Sequence, residues 1–319
     1  MRRRPACSPV TRRRRPPGRG QGRNHVLSAA TIVPCRPATG RPARGHRQRV
    51  AGNGSPASSG AKFVASCLPH PCRVLLVSKV RAGGHRYYLD ATSGPGGRGT
   101  EPPGSWLGKA ARRMDMGAPV GLVALEALME GSDPRTGELL GADRRLVTVA
   151  AFDMTFCAPK SVSLLHALGP DEVRCAVEEG HERAVTAALC YVEDRALAVR
   201  RSVPGVRRAV PVAVDTLPAA AFVHRTSRAL DPHLHSHVLV ANVGTGPDGS
   251  ASALDGRGVY AHRATAAALY HAQLRHELTT ALGVAWEPLD RGRADVAGIG
   301  PEARREFSRR SAAIAADLA

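Results

Sequence analysis

The chain has 319 residues and a mass of 33.6 kDa, enough for one large domain or two small ones with a sizeable core. Its apolar fraction of 43% and charged fraction of 23% are those of an ordinary soluble protein, and no apolar run of spanning length occurs, which excludes membrane insertion and predicts a cytoplasmic chain. The formal charge of +18 is unevenly placed: residues 1–72 hold 15 Lys and Arg and no acid, leaving 30 basic against 27 acidic groups, net +3, for the rest. The bulk charge is therefore weak evidence for nucleic acid, since a folded basic face would keep the excess in the folded part.

Residues 1–72 are Arg-, Pro- and Gly-rich and almost without aromatics, and are expected to stay disordered. Three readings compete for them: a basic tail on DNA, an Arg-rich targeting peptide, or a start codon set too far upstream. The third is favoured, because a first strand begins only at Arg73–Val80. Cys67 and Cys72 faintly suggest a metal knuckle but lack a second ligand pair. The seven scattered cysteines read as reduced small hydrophobes.

After that strand come Tyr87 and Tyr88, then a Gly/Pro-rich loop from Ser93 to Gly104. A short helix is expected over Val120–Glu130, a strand over Leu146–Phe156, a short helix over Lys160–Leu168 and a longer one from Pro170 to about Val199. Strands follow at Ala219–Arg225 and Leu234–Val243, with a loop from Gly244 to Gly249. Helices are expected over Arg263–Leu282 and Pro301–Leu318, with a strand over Val284–Leu289 between them. This mixed order favours an α+β fold, a palm-like central antiparallel sheet with flanking helices over residues 73–319.

The two strands at 219–225 and 234–243 carry the chemistry. Paired as a hairpin centred near Leu230, they set His224 opposite residue 235 or 237, and the period of two puts His235 and His237 on that same face. Three neutral imidazoles then converge as an open metal site. His233 stays a bystander or an outer contact. Asp153 sits in a strand pattern that disfavours acids, so it either ends the strand in solvent or orients a ligand histidine or takes a proton.

Phe152-Asp-Met-Thr-Phe-Cys-Ala-Pro-Lys-Ser-Val-Ser-Leu164, then His224-Arg-Thr-Ser-Arg228 and Asp231-Pro-His-Leu-His-Ser-His237, resembles the TrwC-type (MobF) conjugative relaxases of the HUH endonuclease group. Weaker likeness continues through Tyr270–Leu278 and Phe307–Arg310. The resemblance implies metal-dependent, site- and strand-specific nicking of transfer-origin DNA, single-stranded or hairpin, by a tyrosine that becomes joined to the 5′ end. It implies Tyr87 as nucleophile, with Tyr88 second, Asp153 in a supporting role, and one divalent ion, Mg, Mn or Zn, on His224, His235 and His237. Lys160, Arg225 and Arg228 stand beside the site as candidate phosphate contacts.

Two features depart from the family. A second tyrosine pair is missing where many members carry one, and no Gly-x-x-x-x-Gly-Lys-[Ser/Thr] loop occurs, so the chain reads as truncated before a helicase, which would act as a separate partner with the conjugation machinery. A rolling-circle replication initiator and an inactive DNA-binding fragment are the alternatives.

Overall fold

The structure, a computed structural model, describes residues 75–81, 83–85, 88, 101–140, 148–202, 204–290, 292–309 and 312–313, all within one unit, Leu68–Ala319. The basic leader, the boundary at residue 72, the Cys67–Cys72 segment and Tyr87 lie outside these described residues.

Five strands make the central sheet: β1 (Leu75–Val80), β2 (Ser105–Leu107), β3 (Ala151–Cys157), β7 (Ala219–Thr226) and β8 (Pro232–Ala241), in the order β1-β3-β8-β7-β2 with every pairing antiparallel. Between them fall β4 (Ala198–Arg201), β5 (Val210–Ala213) and β6 (Asp215–Thr216), and after them β9 (Gly244–Thr245) and β10 (Ala251–Ser252). The helices are α1 (Gly108–Arg113), α2 (Leu122–Glu130), α3 (Lys160–Leu168), α4 (Asp171–Arg195), α5 (Gly256–Leu282) and α6 (Pro301–Glu306). No described helix is long and apolar enough to cross a membrane.

The alternation of side chains along the strands divides the sheet into two unlike faces. Met154, Phe156, Leu234, Val238 and Val240 face one way and are closed over by α4 and α5, whose Val177, Ala184, Ala188, Leu274 and Leu278 fill that layer. Each such buried Val, Leu, Met or Phe side chain contributes about 1.5–3 kcal/mol. On the other face Ala151, Ala220, Phe222, Leu239 and Ala241 are covered by α2 through Leu125, Leu128 and Met129. That cover is only partial. Beyond it, the rows of β3, β7 and β8 change from apolar to polar, to Asp153, Thr155 and Cys157, His224, and His235 and His237.

The structure differs from the sequence expectation at several boundaries. The strand expected from Leu146 begins at Ala151, and the long helix stops at Arg195, because Leu197 turns into the core and Val199 belongs to β4. The expected strand Val284–Leu289 is reduced to an isolated bridge, Trp286 to Val296, and the helix expected over Pro301–Leu318 is interrupted after Glu306 at Phe307 and Ser308, with Arg309, Ala312 and Ala313 helical again. Cys157 and Cys190 are free thiols, as expected, but Cys175, half-buried on α4, is disulfide-bonded.

Candidate metal centre

The hairpin β7–β8 builds the site. Its turn is closed by Ser227, whose N–H donates to the Asp231 carbonyl (2.9 Å) and whose hydroxyl oxygen accepts from the N–H groups of Ala229 and Asp231 (3.2 Å each). Leu230 takes φ 61°, the left-handed region that a non-glycine residue enters at a cost of about 1–2 kcal/mol. The register places His224 opposite His235 and Phe222 opposite His237, with a bulge between His224 and Thr226 that bends the strand beside the site. Of the two partners the spacing allows His224, the structure selects His235.

Three imidazoles converge. One ligand atom from each of His224, His235 and His237 lies within 4.8 Å of the others, and the ring centroids stand 5.1–5.2 Å apart, nearly an equilateral triangle. His237 donates its Nδ1–H to the Asp153 carboxylate at 2.9 and 3.1 Å, and His235 donates its Nδ1–H to the His233 carbonyl at 2.8 Å. Both bonds fix the tautomer that leaves Nε2 with a free lone pair. The Nε2 of His224 is buried and has no hydrogen-bond partner among the described residues.

Burial pushes the His224 imidazole down to about 4, with the neighbouring His237 adding to the shift, and pushes His235 down to about 2, chiefly by desolvation and then by His233. Both are neutral near pH 7, as a ligand must be. An orphaned buried nitrogen costs about 1–3 kcal/mol unless something binds it. Three imidazole nitrogens, one of them without a partner, fit a borderline divalent cation with further positions open.

Asp153, 4% exposed, ties this triangle to Tyr88. Its carboxylate also accepts from the Tyr88 hydroxyl (2.9 Å) and from Thr155 Oγ1 (3.3 Å). Tyr88 itself is buried, edge-on to His237 and stacked on Phe222. Thr155, which the sequence alone does not single out, stands opposite His237 with its hydroxyl 3.2 Å from the same Nδ1. Its one signal is its place two residues from Asp153 on the same strand face. His233 stacks on His235, ring centroids 4.6 Å apart.

A cavity of about 1200 Å³ opens over the triangle and runs to the C-terminal segment, where Arg293, Asp295, Arg304 and Ser308 line its far wall. Lys160 and Arg228 line it too. Lys160 bridges its two sides, donating from Nζ to the carbonyls of Pro232 (2.8 Å) and Phe307 (3.0 Å). Arg225 is not brought there. It points to the opposite face of β7, where its guanidinium meets Glu178 at 2.8 and 3.0 Å.

The triangle and the Asp153 carboxylate thus share one sheet face, with the Tyr88 hydroxyl bonded to that carboxylate. The sequence profile of the TrwC relaxase family matches residues 76–319. The chain belongs to the TrwC relaxase family. It is 33% identical over 223 residues to the multifunctional conjugation protein TraI of Escherichia coli and 32% identical to that of strain K12, matches that cover 66% of this chain. The chain spans 12% of the length of these curated relatives.

Among solved structures, TrwC complexed with a 27-mer DNA comprising the recognition hairpin and the cleavage site superposes with a TM-score of 0.62 at 28% identity, covering 76% of this chain and 81% of that one. A metal-bound structure of TrwC with OriT DNA gives 0.63 at 26% identity over the same shares, and a copper-bound one gives 0.62 at 26%, covering 76% of this chain and 82% of the other.

Proposed function

We propose that this chain nicks one strand of transfer-origin DNA by tyrosine transesterification, assisted by a divalent ion held on His224, His235 and His237. The observation that carries the reading is the hydrogen-bonded series from Tyr88 through Asp153 to His237, which joins Tyr88 to the imidazole triangle in one cavity. A relative's complexes with hairpin and cleavage-site DNA support the substrate class. When bound, the ion offsets the charge that builds on the phosphate's non-bridging oxygens. Of magnesium, manganese and zinc, the borderline zinc suits three imidazoles best and the harder magnesium least, and the copper-bound relative supports a site that takes borderline cations.

The chain's own groups divide the remaining work. Tyr88 has its hydroxyl engaged by Asp153 and its ring packed on Phe222, which suits an anchor. Tyr87, one peptide unit away, then supplies the nucleophile. Its phenolic oxygen attacks the scissile phosphorus, the phosphorus–O3′ bond breaks, and the released 3′ oxygen takes up a proton while the 5′ phosphate stays on the tyrosine. A phosphotyrosyl ester retains the bond energy, so the strand can be rejoined later. Lys160 and Arg228 line the cavity, which supports them as contacts to the DNA backbone, whereas Arg225 braces α4 against β7 through Glu178. The partners that follow are origin DNA, a helicase and the conjugation machinery.

The test is incubation of the chain with manganese and a single-stranded oligonucleotide of its own transfer origin. A covalent protein–DNA band that Tyr87→Phe abolishes is expected, with Tyr88→Phe retaining the band at reduced yield. A shifted complex without any adduct would make the chain a binding fragment. Cleavage without an adduct would make it a hydrolytic nuclease.

A further inference from the structure

Directly beneath the triangle, on the helix-covered face of the sheet, lies a polar group set that the nicking chemistry does not use. Ser236 is the residue of β8 between the ligands His235 and His237, and the strand's alternation turns its hydroxyl into the core. There its Oγ lies 2.8 Å from His181 Nε2, and His181 Nδ1 lies 2.7 Å from the Tyr270 hydroxyl. His181 comes from α4 and Tyr270 from α5. The three are 3%, 1% and 0% exposed, so none of these bonds is exchanged with water.

Such a chain is costly to bury in a layer otherwise made of Phe156, Val177, Leu234 and Leu274. Packing alone would favour Leu or Phe at these positions. His181 is held neutral, since burial pushes it down to about 3, and a neutral ring can donate from one nitrogen and accept at the other. Tyr270 keeps its proton, burial raising it well above its ordinary value. The rings of His181 and Tyr270 meet edge to face, 5.6 Å between centroids, which leaves the imidazole little freedom to tilt.

We infer that His181, steadied by Tyr270, is a positioning residue for the metal centre: it pins Ser236 and thereby sets the reach and angle of the two ligands on either side. The lever is short. His235 and His237 flank Ser236 on one rigid strand, so a shift of the Ser236 backbone carries both ligand nitrogens with it, while His224 on β7 stays behind. A bond length of metal to imidazole is held to within about 0.2 Å, so such a shift is read directly as lost affinity. Outer partners of metal ligands are worth about 10–100-fold in affinity when removed. This inference rests on the three-histidine metal reading above.

The experiment is titration of the full chain with cobalt(II), read by its visible absorption and by competition with a chelator. His181→Phe is expected to weaken cobalt binding about 10-fold or more and to change the band positions, with His181→Gln, which keeps a donor and an acceptor, restoring much of both. Ser236→Ala removes only the pinned hydroxyl and reads the same quantity should His181→Phe not fold. Tyr191→Phe is the matched control, because the Tyr191 hydroxyl bonds His262 Nδ1 (2.7 Å) across the same two helices away from β8. It should leave affinity and spectrum unchanged. Equal affinity and spectra for wild type, His181→Phe and Ser236→Ala would overturn the inference and leave the metal site standing, as would an equal loss in Tyr191→Phe. A wild-type chain that binds no cobalt would instead sink the metal reading itself.

Discussion

At the scale of single residues, the group whose replacement tells most is Asp153. It accepts from three donors, His237 Nδ1, the Tyr88 hydroxyl and Thr155 Oγ1, and each expects an acceptor. Asparagine keeps the shape but presents an NH₂ to one of them. If that one is His237, the ring must move its proton to Nε2 and lose the lone pair that faces the triangle. Asp153→Asn is therefore expected to lower metal affinity about 10–100-fold with little change in melting temperature. A chelator-competition titration checks this, and unchanged affinity would show that the carboxylate serves Tyr88 alone. His235→Ala removes one of three nitrogens outright and should abolish metal-dependent nicking, measured on the same oligonucleotide. Full cleavage by that variant would mean the triangle is not the centre.

At the scale of elements, the helix pair α4 and α5 must cross closely for His181 and Tyr270 to meet. At the start of α5, a Cβ on Gly258 would collide with the carbonyl oxygen of Ala196 at the end of α4. In an exposed helix, Gly to Ala gains about 1 kcal/mol, but here the obstacle is backbone and cannot rotate away. Gly258→Ala should destabilise by about 1–3 kcal/mol, a fall in melting temperature of roughly 3–10 °C by circular dichroism. A stabilised variant would mean the helices part easily.

Elements with strong internal periodicity are legible in the chain itself: α3 occupies Lys160–Leu168 as its pattern predicts, and the alternation along β8 is enough to put His235 and His237 on one face. The three-residue β2 and the β4–β5 ribbon are not legible. They exist through pairing with β7 and with each other, and three or four residues carry too little pattern to announce it. Val199 shows the ambiguity in one residue, since it is buried and apolar and suits either the end of α4 or the strand β4 that it joins. The partner of Asp153 stays open in the sequence for a similar reason: spacing along the chain cannot say which side chains come face to face across β3 and β8.

At the scale of the whole molecule, the buried histidines couple stability to pH. His181 is pushed down to about 3 by burial, with the neighbouring His166 adding to it, and His271 to about 3 by burial and then by Arg293 and Arg275. In the unfolded chain both titrate near 6.5, so between about pH 6.5 and 3 the unfolded state holds protons that the folded state refuses. Stability must therefore fall as pH falls through that window, by up to about 1.4 kcal/mol per pH unit for each ring. From pH 7 to 5 the two together remove about 4 kcal/mol. His224 and His235 act in the same direction when no ion is bound, so the measurement belongs in chelator. Glu101 and Glu193, whose carboxyls are raised by burial, oppose the trend at lower pH, because their folded forms take up protons first. Urea unfolding at pH 7, 6 and 5 should show the loss, and His271→Gln should shrink it by about 2 kcal/mol. A flat profile would mean that water reaches these rings.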